Sequence, residues 1–361
     1  FCLEISLYLN KIHKLQYSQS YWEQIIGFWV LEFLTTIFEK YIIIKNLKDS
    51  NNITAYEVVN KKDYTKKNSY LSKEMYCSDA WNNYIFLFLI KRFKKNIKIK
   101  QIKSSYLKKN NSNVRSSIHA KFNFKNKFKK FVLSFFSYFA YVWKKKNEIF
   151  IINCYLGFIN EIILQFKVNR LLKINTSYEN KYKYTHKLDK KIRDLILKKN
   201  KGDDKFITLI KEIIIKNIPL AYIEEYKSIN QFNQKLPWPT NPRKILTSVN
   251  NVYDDPFKVW LADKKEKGAE LIYTQHGGKF LLKSNCQDYY LSRTCQKIVV
   301  WGKRQIVDKN FYFALFNIKS SGKEFKIKKN SFILIPQEFP RIYVTTLSQA
   351  LHFNDYKNYI N

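Results

Sequence analysis

The sequence predicts an α/β protein in which a Rossmann-like parallel sheet follows a helical N-terminal part. Three observations carry this. All seven prolines lie between Pro219 and Pro340. Proline inside a helix removes a hydrogen bond and clashes with the preceding turn, so residues 1–218 admit long helices and the remainder reads as short elements joined by turns. Second, Lys244–Val249 (KILTSV) and Glu270–Thr274 (ELIYT) are β-type apolar runs on either side of a helical pattern. Third, Lys297–Trp301 (KIVVW) repeats the strand pattern and ends at Gly302.

The elements follow in order. In residues 1–48, Trp22, Ile25, Ile26, Trp29, Phe33 and Ile37 recur at three- and four-residue steps and predict a helix with one broad apolar face. Ser18 or Ser20 can cap its start, with Glu23 placed as in a capping box. Residues 49–75 are polar and lysine-rich and read as a loop with some helix. Asp79 opens a second apolar helix through Ile90. From Lys91 to Asn147 there are eighteen Lys or Arg and no Asp or Glu, the mark of a low-complexity insertion. Glu148–Tyr155 (EIFIINCY), Gly157 and the helical pattern Phe158–Leu172 then form a strand, a turn and a helix. The division expected is a helical part over residues 1–90, the lysine-rich insertion over 91–147 and a Rossmann-like domain over 148–325, with residues 326–361 following it. With Phe1 at the start and Met75 the single methionine, the expectation is a truncated chain.

Composition narrows the function classes. The formal charge is +36, from 65 basic and 29 acidic residues. Only eight of the basic residues are Arg, and readers of specific nucleic-acid sequence lean on Arg for bidentate contacts. The lysines therefore read as a solvated surface that tolerates anionic ligands, and no specific nucleic acid is expected. A basic nucleic-acid-binding module built on Lys91–Lys146 is the competing reading. Five cysteines without a CxxC pair argue against a disulfide framework and for a cytoplasmic setting. Phe131–Trp143 is an apolar run of thirteen residues, too short to cross a bilayer. It suits a buried element or an interfacial helix. Peripheral contact with the anionic inner face of the membrane is the variant that the second choice allows.

The chemistry gathers around Gln275-His276-Gly277-Gly278. Strand, crossover helix and strand require the two strands to be parallel, so the loops after Val249 and Thr274 leave the same carboxyl edge, where open α/β sheets bind ligands. Trp301 and Gly302 join that edge if the third strand is parallel too. Gly277 and Gly278 let the backbone take φ > 0 and approach a ligand. His276 titrates near neutrality and can serve as a base or a phosphate ligand, with Gln275 to fix its tautomer or bind a sugar. Asp254 and Asp255 can pair with His276 or bind hydroxyls, and Asp255 is placed to cap a helix that begins at Pro256. The bland alternatives are a simple turn for His276, a cap alone for Asp255, and core packing for Trp260 and Trp301. Cys286 and Cys295 lack metal-ligand spacing relative to His276, and no metal or other cofactor is expected.

Several blocks in order resemble a known family. LNKIHKLQYSQSYWEQIIGFWVLEF (Leu9–Phe33), DAWNN (Asp79–Asn83), LPWPTNP (Leu236–Pro242), TSVNNVYDDPFKVWLADKKEKGAELIYTQHGG (Thr247–Gly278) and VVWGK (Val299–Lys303) are similar to glycosyltransferase-like transferases of bacterial surface-carbohydrate biosynthesis. The chain departs from their pattern at Asp255, usually Glu; at Lys303, usually Trp; and at Phe280-Leu281, usually Tyr-Gly. The resemblance implies a GT-B-like fold with two Rossmann-like domains, the second, incomplete one beginning at 326–361, where Ser331–Pro336 (SFILIP) looks like its first strand. It also implies a nucleotide-linked sugar donor and a glycan or lipid-linked acceptor. On that reading His276 is the catalytic residue, and Gln275, Gly277, Gly278, Asp254, Asp255, Trp301 and Gly302 bind substrate. A degenerate, non-catalytic remnant of such an enzyme is the rival expectation.

Overall fold

The structure, a computed structural model, describes residues 2–50, 52–59, 64–103, 149–156, 158–169, 177, 181–198, 205–277, 286–301 and 311–313. Phe131–Trp143 and residues 326–361, with the expected second domain, lie outside them, as does most of the lysine-rich block.

The N-terminal part is helical as its periodicity predicts. Helix α1 (Cys2–His13) leads into α2 (Gln19–Asn46), whose start is capped by the Ser18 side chain accepting from the Tyr21 amide. Glu23 does not complete a capping box; it pairs with Arg293 on a distant helix. Strand β1 (Thr54–Val59), α3 (Ser69–Tyr76), α4 (Asp79–Phe93) and strand β2 (Lys98–Lys103) follow. The two strands pair in parallel, Thr54 opposite Lys98. They correct the reading of these stretches as loop and low-complexity tract. Alternate apolar residues in a lysine-rich run look polar by composition, yet Ile99 packs against the core that Ile97 enters. This core gathers Trp22, Ile25, Trp29, Phe33, Trp81 and Ile85 around α7 (Lys205–Asn217).

The main sheet contains β3 (Ile149–Ile152), β4 (Lys244–Thr247), β5 (Glu270–Thr274), β6 (Lys297–Val300) and β7 (Phe311–Phe313). They lie side by side in that order and every pairing is parallel. Register aligns Ile149 with Lys244 and Lys244 with Glu270, so β3, β4 and β5 run level and their carboxyl ends line up. After β3 come α5 (Phe158–Asn169), α6 (Lys190–Lys198), α7, and α8 (Tyr226–Gln234). A short turn of helix, α9 (Asn250–Tyr253), then α10 (Asp255–Glu266), crosses from β4 to β5, and α11 (Cys286–Thr294) precedes β6.

Burial along β4, β5 and β6 alternates. Ile245, Leu271, Tyr273, Ile298 and Val300 point into a second core with Phe257, Trp260, Leu261, Tyr290 and Leu291 of α10 and α11. Phe28 of α2 joins this core, so the N-terminal helix packs directly on the crossover helices. Right-handed crossovers between strands laid down in one direction fall on one face, and residues of α10 and α11 pack together on the face that carries Ile245, Leu271 and Ile298. Among the described strands the order never reverses, and the reversal that opens a crevice in doubly wound sheets is not among them.

Among the described residues no helix is long and apolar enough to cross a membrane.

Candidate functional site at the carboxyl edge

Parallel pairing brings the ends of β3, β4, β5 and β6 to one edge, and the segments leaving them meet there. Gln275, the first residue after β5, is buried and spans two strands. Its amide donates to the Val299 carbonyl at 2.9 Å, its Oε1 accepts from the Trp301 amide at 2.9 Å, and its Nε2 donates to the Gly277 carbonyl at 2.7 Å. The side chain is thus a latch that ties the β5 turn to the start of the segment after β6. None of these three bonds is to the imidazole of His276.

Tyr273 reaches that ring. Its hydroxyl lies 3.2 Å from His276 Nδ1 and also accepts from Gln287 Nε2 at 3.4 Å. The imidazole hydrogen-bonds the Ser248 backbone as well, and it stacks on Tyr155, with ring centroids 5.4 Å apart and planes 12° from parallel. Desolvation against the sheet edge pulls the imidazole pKa below the ordinary histidine value, and the Ser248 bond only partly opposes this. The ring is therefore neutral at neutral pH and able to take up a proton, while the residue remains open to solvent.

Tyr155 and Asn153 escape a sequence reading centred on the glycine-flanked histidine, yet they shape the edge. Both have left-handed backbone, φ 57° and 48°. Asparagine tolerates that region, whereas a bulky side chain there is an outlier whose strain must be offset by its surroundings. The Asn153 amide donates to Asn250 Oδ1 at 2.7 Å, Asn250 Nδ2 donates to Asp254 Oδ2 at 2.7 Å, and Ser177 Oγ donates to the same oxygen at 2.5 Å. This polar chain runs from the end of β3 across the end of β4. Below it, Ser248 Oγ hydrogen-bonds Thr274 Oγ1, both residues fully buried. The clue in the sequence was the Asn-Cys-Tyr run after the β3 pattern, followed at once by a helix.

The two aspartates divide differently from expectation. Asp254, not Asp255, caps α10: its Oδ1 accepts from the Phe257 amide at 3.0 Å. Burial pushes its carboxyl pKa up, opposed by the bonds from Ser177, Phe257 and Asn250. Asp255 occupies the first turn and points the other way, into the protein. It forms a wholly buried ion pair with Lys258 at 2.6 Å and accepts from the Ser69 amide (2.9 Å), Ser69 Oγ (2.8 Å) and the Tyr222 hydroxyl (2.9 Å). A carboxylate this far committed fastens α3 to α10. The helix begins one residue earlier than the proline suggested, because proline fits the first turn generally. For both aspartates, the bonds described are to neighbouring protein groups, none of them His276.

The Gly277 backbone is outside the left-handed region, and an added Cβ would meet nothing within 4 Å. The conformational argument holds instead at Gly268, φ +92°, which ends α10. Trp301 sits half-buried beside Gln275. Gly278 and Gly302 lie outside the described residues. Cys286 faces Thr35, 3.4 Å away, and Cys295 is buried in the second core. Among the described residues no three His, Cys, Asp or Glu side chains gather as a metal site.

An open parallel sheet whose carboxyl edge gathers a histidine, hydroxyls and amides places the chain among α/β proteins. The family model for the LIC12162 family transferase matches residues 4–361, and the chain belongs to that family. It is a transferase. No curated protein and no solved structure matches it.

Proposed function

We propose that the chain transfers a glycosyl or related group from a nucleotide-linked donor to a surface-carbohydrate acceptor, glycan or lipid-linked, with His276 as the general base. The observation that carries this is the imidazole at the carboxyl edge, neutral at neutral pH and held between Tyr155 and Tyr273. A transferase needs an acceptor hydroxyl deprotonated as it attacks, and a positioned histidine supplies that. Gln275, Gly277 and Trp301 shape the floor beside it. Gly278 and Gly302 remain proposed contacts on the strength of the motif, whereas the commitments of Asp254 and Asp255 favour a scaffolding role. A GT-B-like arrangement, with a second Rossmann-like domain closing over this edge, would supply the crevice that a sheet without strand reversal lacks. A cytoplasmic setting at the inner face of the membrane accords with a lipid-linked acceptor and the +36 charge.

The test is turnover. Nucleoside-diphosphate sugars are offered with lipid-linked and free glycan acceptors, and nucleotide release is followed for the parent and His276→Ala. The reading expects release by the parent and a loss of about 10²–10⁴-fold in the variant. Release left intact by His276→Ala moves the reaction away from this edge.

A further inference from the structure

Glu161 has no part in the site so far, yet it stands at the same edge. It lies in the first turn of α5, which begins shortly after the Asn153–Tyr155 segment. One turn on, Gln165 is fully buried and its amide donates to the Ile151 carbonyl at 3.2 Å. Residues i and i+4 share a helix face, so Glu161 is on the side of α5 that meets β3. Ile159, Ile163 and Phe166, by contrast, are exposed. The Glu161 charge acts on the Cys154 thiol and helps to raise its pKa, and Cys154 hydrogen-bonds the Thr274 side chain directly before Gln275-His276. Cys154 is also the immediate neighbour of Tyr155, the residue stacked on His276. One dipeptide, Cys154-Tyr155, therefore touches the surroundings of both the carboxyl and the imidazole.

The carboxyl has one unsatisfied oxygen. Its Oε1 is sealed from solvent and has no hydrogen-bond partner, and burial alone pushes its pKa up to about 7, with no cation to offset the cost. A buried polar atom without a partner is destabilising and calls for a reason. A carboxyl in an apolar pocket beside a second titratable group is a recurrent feature of reaction sites. The rest of the residue reaches the surface, being only partly buried.

We propose that Glu161 is a ligand-contacting residue of this site that hydrogen-bonds a hydroxyl of the glycosyl group bound beside His276. The chemistry selects that part of the ligand. A carboxylate repels phosphate, so the nucleotide end is excluded, while a sugar hydroxyl can donate to it when ionised and accept from it when protonated. The inference rests on the glycosyl-transfer reading and adds which residue recognises the transferred group.

The experiment compares the parent, Glu161→Gln and Glu161→Leu in two measurements. The first is thermal unfolding without ligand. The second is titration with a bare nucleoside diphosphate and with the same nucleotide bearing the sugar that the parent turns over. A recognition residue sacrifices stability for binding, so Glu161→Leu, which removes the buried unpartnered oxygen, should melt higher than the parent. The affinity ratio of sugar-bearing to bare nucleotide should fall at least ten-fold in Glu161→Leu and less in Glu161→Gln, whose amide still bonds hydroxyls. Bare nucleotide should bind as before or more tightly. An unchanged ratio, or lower melting of Glu161→Leu, overturns this inference alone, provided His276→Ala still lowers turnover by about 10²–10⁴-fold. A parent that binds neither nucleotide overturns it together with the reading on which it rests.

Discussion

The Tyr155 ring lies face to face with the His276 imidazole, 5.4 Å between centroids and 12° from parallel, although the two residues follow different strands and are far apart in sequence. Tyr155 holds this position from left-handed backbone at φ 57°. Tyr155→Phe should retain the stack and most of the turnover. Tyr155→Gly should relieve about 1 kcal/mol of backbone strain yet lower turnover by roughly ten-fold, because the imidazole loses its platform. Denaturant titration alongside nucleotide release separates the two effects; a Gly variant with full turnover would make the stack incidental.

The buried Asp255–Lys258 pair predicts an asymmetry. Asp255→Ala leaves the Lys258 ammonium buried beside Tyr222 and Ser69, an arrangement that costs about 3–5 kcal/mol. Replacing both, as Asp255→Leu with Lys258→Met, should cost less than the single change. Asp254→Ala removes a cap and the end of the Asn153–Asn250 chain, for about 2 kcal/mol. Urea unfolding of the four proteins gives the order directly.

Gly277→Ala should be nearly neutral in stability, within about 0.5 kcal/mol, because the space around it is open. Gly268→Ala should cost about 1 kcal/mol through its positive φ. Equal melting losses in the two variants would mean that the turn after β5 is tighter than its geometry indicates.

His13 predicts a pH effect. Burial lowers its pKa from 6.5 to about 4, against a hydrogen bond to the Tyr222 carbonyl and helped by Lys227. Between those values the unfolded chain binds more protons than the folded one. Stability is therefore lost as pH falls from 6.5 towards 4, by up to about 3 kcal/mol for this group. The difference in unfolding free energy between the parent and His13→Gln isolates this term from other titrating groups. A difference that does not vary over that window would refute the assignment.

Much of the sheet was legible in the sequence because its signals are local. KILTSV, ELIYT and KIVVW are short apolar runs of strand length, and a helical pattern between two such runs is the signature of a parallel crossover. That argument predicted that the segments after Val249 and Thr274 share an edge, with Trp301 and Gly302 joining it if the third strand is parallel too, which it is. The 3.6-residue pattern of α2 was equally plain. Which aspartate caps α10 was not legible, since adjacent aspartates before a proline satisfy the same local rule; the choice follows from Ser69 and Tyr222 arriving from elsewhere to bind Asp255. Strand β2 was hidden because lysine on an exposed face carries no strand signal; β1 (TAYEVV) is β-type in its own residues but sits within a polar stretch, and its pairing with β2 across a crossover is not a local property.

By itself the sequence determined the parallel sheet, the edge at which its loops emerge and the histidine set there, each through periodicity or strand order. Only the tertiary structure decided that Tyr155 covers His276, that Gln275 latches β5 to β6, and that Asp255 is spent on Lys258. These are contacts between segments whose separation along the chain leaves no mark on their own composition, and packing in three dimensions chooses among partners that local rules treat alike.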